Sequence, residues 1–234
     1  MGNGTSKKGG APVTQPQATG PRSVQDSIKK IEDIGFIVSG RAEAGLKALG
    51  DQYAQEVADM LESLEATYGA HAVHQKARGD VGMKFQAEDL GKSMYAAVWS
   101  NKYSGVANII GFNTRFDYDA KNAAYKKEVA DKWKMPSNLT GVQYTAAHEY
   151  GHMLQFSMMV KSGYNGTSGQ FAAGQKKTIM SIAKKKYGAT AADLSSYGAT
   201  NSHEFFAEAF ANAVGGSPNA VGKAMTDWLK TQGF

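Results

Sequence analysis

The chain of 234 residues contains no cysteine, which excludes both a disulfide framework and a metal site built on thiolates. Hydrophobic residues make up 42% and charged residues 20% of the chain, the profile of a soluble globular protein with one sizeable core or two small ones. The formal net charge of +5 is mild and its lysines are spread along the chain, so we expect no nucleic-acid partner.

The N-terminal segment differs in composition from the rest. Residues 1–21 are mainly Gly, Ser, Thr, Pro, Gln and Lys, which predicts a disordered tail before one domain over residues 22–234. The tail carries a weak N-myristoylation pattern with Gly2 as acceptor. No stretch reaches the roughly 20 apolar residues of a membrane span, and there is no signal-peptide core. The compartment is therefore left open between the cytoplasm and non-classical export.

Helical periodicity begins at Ser23. Val24 and three isoleucines follow one another at spacings of four and three as far as residue 34, and a second apolar face runs from residue 41 or 51 to Tyr68. We expect these helices to pack against other elements, and they contain no candidate catalytic residues. His71 and His74 follow at a spacing of three, but no carboxylate stands at a useful offset, so we interpret them as ordinary histidines.

The periodicity then shortens to that of strands. Three segments qualify, at residues 83–87, 94–99 and 106–112. A polar, turn-like stretch that ends at Gly105 separates the last two. We expect these strands to form a small sheet.

The second half of the chain again predicts helices. One is expected over residues 120–133, ended by Pro136, and a basic one over about residues 171–187. The lysines of the basic helix are interpreted as a solvated face because no aromatic residues are interleaved with them. Ser217 and Pro218 predict the start of the last helix. The predicted fold class is α+β, mostly helical with a small sheet.

The most informative stretch runs from His148 to His152 and has the pattern H-E-x-x-H. Thr140 and Gln143 predict a capping box about two turns before it, so the motif lies inside a helix. Both imidazoles then project from one face and can share a tetrahedral ion, while Glu149 reaches the water beside it. The alternative is a helix with two half-buried histidines and a solvated glutamate.

A hydrolytic zinc site needs three protein ligands and one open position, so the histidines require a partner elsewhere in the chain. Glu204 and Glu208 lie one turn apart on one stripe of an otherwise apolar helix, where burying a carboxylate is costly unless a cation compensates it. We take Glu204 as the third ligand. Glu208 is expected to orient a ligand histidine through its other ring nitrogen.

The same segment admits other interpretations. Asn201 fits an N-cap with Glu204 as its N3 glutamate, and Glu208 would then face solvent. His203 projects about 100° around the helix from Glu204 and is a weaker ligand candidate. Asp193 is a further competitor. The residue pattern leaves these alternatives open.

Two segments together carry a family resemblance. The first is H-E-Y-G-H, and the second is S-Y-G-A-T-N-S-H-E-F-F-A-E-A-F at residues 196–210. They resemble the catalytic domain of anthrax toxin lethal factor and its metallopeptidase relatives, over about residues 140–234. The resemblance implies a zincin-like metallopeptidase fold of the gluzincin type. Residues 1–139 carry no such resemblance.

The resemblance also implies an activity, the hydrolysis of a peptide or protein substrate by an endopeptidase with metal-activated water. In this assignment Glu149 is the general base, Tyr197 faces the developing oxyanion, and Zn²⁺ is bound by His148, His152 and Glu204. An exposed edge of the small sheet would align the peptide. The alternative is a non-catalytic structural or interaction protein, for example a phage virion component, that keeps a zinc-binding fold. Glu149 argues against it, because a structural site has no use for a base.

Overall fold

The computed structural model describes residues 20–71, 83–99 and 109–234. The predicted tail, with Gly2, lies almost wholly outside these residues, as do His74 and the turn before residue 106. The helices are α1 Val24–Asp33, α2 Gly40–Leu49, α3 Asp51–Tyr68, α4 Tyr118–Ala130, α5 Gly141–Lys161, α6 Ser168–Tyr187, α7 Ser196–Thr200, α8 Ser202–Val214 and α9 Ala220–Thr231. The strands are β1 Ile37–Val38, β2 Lys84–Glu88, β3 Ala96–Trp99 and β4 Ile109–Asn113. The prediction of a mostly helical α+β chain with a small sheet is confirmed.

The four strands form one mixed sheet in the order β1-β2-β4-β3. The central pair, β2 and β4, is parallel, and β3 runs antiparallel to β4 with Ala96 opposite Phe112. The rings of Phe85 and Phe112 stack at a centroid distance of 5.4 Å in the core. Within the described residues β3 pairs with β4 on one side and with no strand on the other, and we call that unpaired side its open edge. The two-residue strand β1 was not predicted because it is too short to show a period.

The N-terminal helices pack as their apolar faces predict. The hydroxyl of Ser23 caps α1, and Val24, Ile28 and Ile31 are buried against neighbouring elements. The helix predicted from residue 41 or 51 to Tyr68 begins at Asp51, the second of the two expected starts, and α2 precedes it as a separate helix. They are separated at Gly50, whose φ of 88° lies in the left-handed region that favours glycine.

The prediction of a helix over residues 120–133 is wrong at its C-terminal end, because α4 stops three residues early. Lys132 adopts a left-handed conformation with φ of 58°, and the N–H of Trp133 bonds to the carbonyl of Glu128 at 2.7 Å. The chain therefore turns away well before Pro136. Trp133 is 42% exposed and does not belong to the buried face of the helix.

The helix that carries H-E-x-x-H starts as predicted. Thr140 and Gln143 form the expected capping box, and a left-handed Gly163 follows the last residue of α5. Gly151 lies where α5 crosses α8. A Cβ at this position would approach Cα of Ala207 to 3.1 Å, so glycine permits the close packing of the two helices.

Two other predicted helix starts are shifted. α6 begins three residues earlier than expected because Thr167 and Gln170 form a second capping box. α9 begins after Pro218, since the side chain of Asn219 accepts the first free N–H groups. The hydroxyl of Ser217, the predicted cap, instead accepts a side-chain amide hydrogen bond. No described helix has the length and apolar composition of a membrane span.

Candidate metal centre

Three donor side chains converge where α5 crosses α8. Oε2 of Glu204 lies 3.0 Å from Nε2 of His148 and 3.4 Å from Nε2 of His152. The three donor atoms all lie within 4.8 Å of one another, and the side chains are buried or half-buried. Two atoms that each bind one tetrahedral zinc ion at about 2.05 Å are about 3.3 Å apart. The two distances from Glu204 are close to this separation, so the three residues could hold a metal ion.

The competing ligand candidates do not join this cluster. Asn201 does cap α8, since its side chain accepts two N–H groups of the first turn, but the carboxylate of Glu204 contacts the histidines. The carboxylate of Asp193 accepts the backbone N–H at the start of its own 3₁₀ helix. Nδ1 of His203 lies 2.6 Å from Oε1 of Gln155. The structure thus selects one acidic residue among several that the sequence allowed.

His71 belongs to the core rather than to a metal site. It is buried, and its ring is tilted against Phe36 at a centroid distance of 5.4 Å. Within the described residues it is not part of the donor cluster.

Glu208 is fully buried behind His148, so the alternative that it faces solvent is wrong. Its Oε1 lies 3.1 Å from Nδ1 of His148 and 3.0 Å from Nζ of Lys134. Its Oε2 accepts hydrogen bonds from the N–H of Met135 and the hydroxyl of Ser195. The histidine contact has the distance of an ion pair but lies off the hydrogen-bond direction of Nδ1. Glu208 therefore lies next to Nδ1 of His148, the ring nitrogen that does not contact Glu204.

The charges around the donor atoms compensate one another. Burial alone would raise the pKa of Glu208, but Lys134 and His148 lower it to about 2. Burial would also raise the pKa of Glu204, but hydrogen bonds and charge interactions with His148 and His152 hold this pKa well below its usual range. The pKa of His148 is raised, because the two carboxylates outweigh burial and the nearby lysine. A metal ion at this site therefore competes with protons for His148.

The chain was compared with protein-family models, with curated proteins and with solved structures. None of the three comparisons returns a match.

A cleft with a volume of about 250 Å³ opens beside the donor cluster. Glu149 lines it and is only 6% exposed. Within the described residues its carboxylate accepts no hydrogen bond and forms no ion pair. Its oxygens are therefore free to accept a proton from a molecule in the cleft.

Tyr197 forms another part of the cleft wall. Its ring is stacked on the imidazole of His148, with centroids 5.7 Å apart, and Nζ of Lys134 lies 3.7 Å from the ring centroid. Burial, together with the charges of Glu204 and Glu149, raises the pKa of the phenol well above its usual range. Tyr197 therefore remains a neutral hydrogen-bond donor near the donor cluster.

Two lysines of the cleft were not predicted. Lys134 holds Glu208, and Lys121 lines the cleft with its ammonium 3.4 Å from the ring centroid of Tyr95. Lys121 and Tyr125 are the buried residues of α4, at the i, i+4 spacing of one face. A lysine on an otherwise apolar helix face is the sequence feature by which Lys121 could have been identified.

Proposed function

We propose that this protein is a zinc-dependent endopeptidase of the lethal-factor-like gluzincin type, with a zincin-like fold. The observation that carries the proposal is the convergence of His148, His152 and Glu204 beside the unpartnered, buried carboxylate of Glu149. Three protein donors leave one tetrahedral position open, which is typical of catalytic rather than structural zinc sites.

The residues around the cleft divide the chemistry among them. A zinc ion supplies Lewis acidity toward a carbonyl oxygen and toward water. Glu149 accepts the proton of the attacking water and returns it to the leaving amine. The neutral phenol of Tyr197 donates a hydrogen bond to the developing oxyanion. Glu208, held by Lys134, keeps the ring of His148 in the orientation that turns Nε2 toward the other donors.

The open edge of β3 supports a mode of substrate binding. Residues Ser93, Met94, Tyr95 and Ala96, at and just before the start of this strand, line the cleft. An extended peptide that adds to this edge gains main-chain hydrogen bonds and passes beside Glu149. The proposed substrate is therefore a peptide segment in extended conformation.

The test is a metal analysis combined with a cleavage assay on a mixed peptide library, with and without chelator. We expect one zinc per chain, cleavage that chelation abolishes and cleavage that added zinc restores. Stoichiometric zinc without cleavage would favour the non-catalytic alternative, for example a zinc-stapled virion component. Absence of zinc binding would contradict both.

A further inference from the structure

We propose that Lys121 binds a carboxylate of the peptide substrate, either an acidic side chain or the free C-terminus. This inference rests on the proposed peptidase function and specifies its substrate class. It makes Lys121 a specificity-determining residue, separate from the residues that hold metal or move protons.

The first observation is burial. The side chain of Lys121 is 3% exposed, and yet it lines the cleft that also contains Glu149. Removing an ammonium from water is costly unless an anion or a hydrogen-bond acceptor replaces the lost hydration. A lysine at this depth therefore requires a partner.

The second observation is that the described part of the chain offers no such partner. The ammonium of Lys121 makes no ion pair and no hydrogen bond there; its close neighbour is the ring of Tyr95. A ring face attracts a cation but does not replace an oxygen acceptor. Lys134, in the same cleft, lies 3.0 Å from the carboxylate of Glu208. The two lysines differ in whether the fold supplies the anion.

None of the described charged residues that act on Lys121 forms an ion pair with it, so its ammonium can still bind an anion. Glu128 and Glu149 act on Lys121 from beyond ion-pair distance, and Lys134 repels it. Burial outweighs both carboxylates and lowers the pKa of Lys121 to about 7. A carboxylate placed against the ammonium favours its charged form, so binding is coupled to proton uptake near neutral pH.

The position of Tyr95 indicates a peptide as the source of the carboxylate. Tyr95 directly precedes β3, whose open edge is the proposed binding site for an extended peptide. A peptide on that edge passes the ring over which Lys121 lies. The cleft, at about 250 Å³, is large enough for one or two side chains, and one buried cation matches one carboxylate.

Two pairs of peptides test the proposal on the zinc-loaded full chain. One pair carries Glu or Gln beside the scissile bond, and the other ends in a free carboxylate or an amide. We expect KM to be about tenfold or more lower for the carboxylate member of one pair, from a charge-assisted hydrogen bond. The pair that shows the difference identifies the source of the carboxylate. Equal KM values within both pairs would overturn the proposal.

A matched pair of variants assigns the preference to one residue. Lys121→Met removes the buried charge, whereas Lys126→Met removes an exposed lysine on the same helix. The preference should disappear in the first variant and persist in the second, with KM rather than kcat changed. A folded Lys121→Met that keeps the preference would refute the assignment. If that variant does not fold, the peptide pairs on the unmodified chain still decide.

A binding assay that requires no cleavage distinguishes the carboxylate site at Lys121 from the proposed peptidase activity. Fluorescence anisotropy in the presence of chelator measures the affinity of each labelled peptide. If no peptide is ever cleaved but carboxylate peptides bind more tightly through Lys121, the peptidase proposal fails and the carboxylate site stands. If peptides are cleaved and no carboxylate preference appears in either assay, the carboxylate site fails alone.

Discussion

The donor cluster between α5 and α8 and the cleft beside it contain buried charges that are partnered differently. In the cluster, Glu208 contacts Lys134 and His148, and Glu204 contacts both histidines. In the cleft, Glu149 has no hydrogen-bond or ion-pair partner among the described residues. The ammonium of Lys121 lies over the ring of Tyr95 and forms no ion pair with any residue that the structure describes. Among the described residues, buried charged groups therefore have ion-pair partners in the cluster and lack them in the cleft.

This difference separates two tasks. Groups that hold a ligand histidine in place gain from complete pairing, because each contact restricts the rotamer of the next side chain. Groups that meet a substrate have to keep a lone pair or a proton available, and unpaired buried charge is costly to the fold. We therefore expect variants of the cluster to change metal binding, and variants of the cleft to change turnover, specificity or stability.

The largest expected effect is that of Glu149→Gln. It removes the proton acceptor of the cleft without altering the donor atoms, so turnover should fall about 10²- to 10⁴-fold while zinc content stays at one per chain. Metal analysis and kcat on a cleaved peptide measure the two quantities. A variant that loses zinc as well would show that Glu149 contributes to metal binding, which contradicts the separation of roles between cluster and cleft.

Glu204→Ala should act on the metal itself. Loss of one of three donors is expected to lower zinc affinity by more than about 100-fold, beyond the range typical of residues that only orient ligands. Competition titration against a chromogenic chelator measures the affinity. Asp193→Ala is the control and should bind zinc like the unmodified chain. Unchanged affinity in Glu204→Ala would remove the third ligand.

Tyr197→Phe tests the oxyanion role. Deleting one hydroxyl that donates to the transition state should lower kcat about 10²- to 10³-fold, with metal content unchanged. The stacking of the ring on His148 is retained, so thermal unfolding should be little affected. Normal kcat in this variant would assign Tyr197 a packing role only.

Glu208→Gln should weaken zinc binding about 10- to 100-fold, because the amide keeps the shape of the side chain but loses the charge that faces His148. It also leaves the buried ammonium of Lys134 without its anion, so the melting temperature should fall. Chelator titration and calorimetry measure both. A lower melting temperature with full zinc affinity would restrict Glu208 to stability.

The smallest expected effect is a gain in stability. Replacing even a buried ion pair by apolar side chains is often stabilising by about 1–4 kcal/mol, and an unpaired charge lacks the attraction that offsets its desolvation, so Lys121→Met should raise the melting temperature by at least about 2 °C. The pKa of Lys121 falls from 10.5 to about 7 on folding, so the unfolded chain binds more protons between these values. The stability of the unmodified chain therefore rises with pH in this window.

The advantage of Lys121→Met should accordingly be complete below about pH 7 and shrink as the pH approaches 10.5. Thermal melts across this range, with Lys126→Met as the control, measure the difference between the two chains. A difference that does not change with pH would show that the lysine is already partnered in solution.

Local features of the chain predicted much of the fold. Thr140 caps its helix as expected, and the first helix begins next to Ser23, where the helical periodicity begins, since a helix start depends on residues within one turn. The starts of α6 and α9 that were missed also have local caps, at Thr167 and Asn219, which were not recognised. The turn at Lys132 uses a backbone conformation that lysine seldom adopts, and no periodicity reveals it.

The local sequence fixes the relative positions of His148, Glu149 and His152 on their helix, because the helical repeat sets them independently of the rest of the chain. It also pointed to a stripe of glutamates at residues 204 and 208. Only the tertiary structure selected Glu204 over Asp193 as the residue that meets the histidines.

Only the tertiary structure, likewise, buried Glu208 against Lys134 and placed Lys121 in the cleft with no ion-pair partner among the described residues. These pairings join residues up to 74 positions apart, and packing alone decides which polar groups share a space and which face a cleft. The physical reason is that a side chain's charge is encoded locally, whereas its desolvation and its partners are properties of the assembled core.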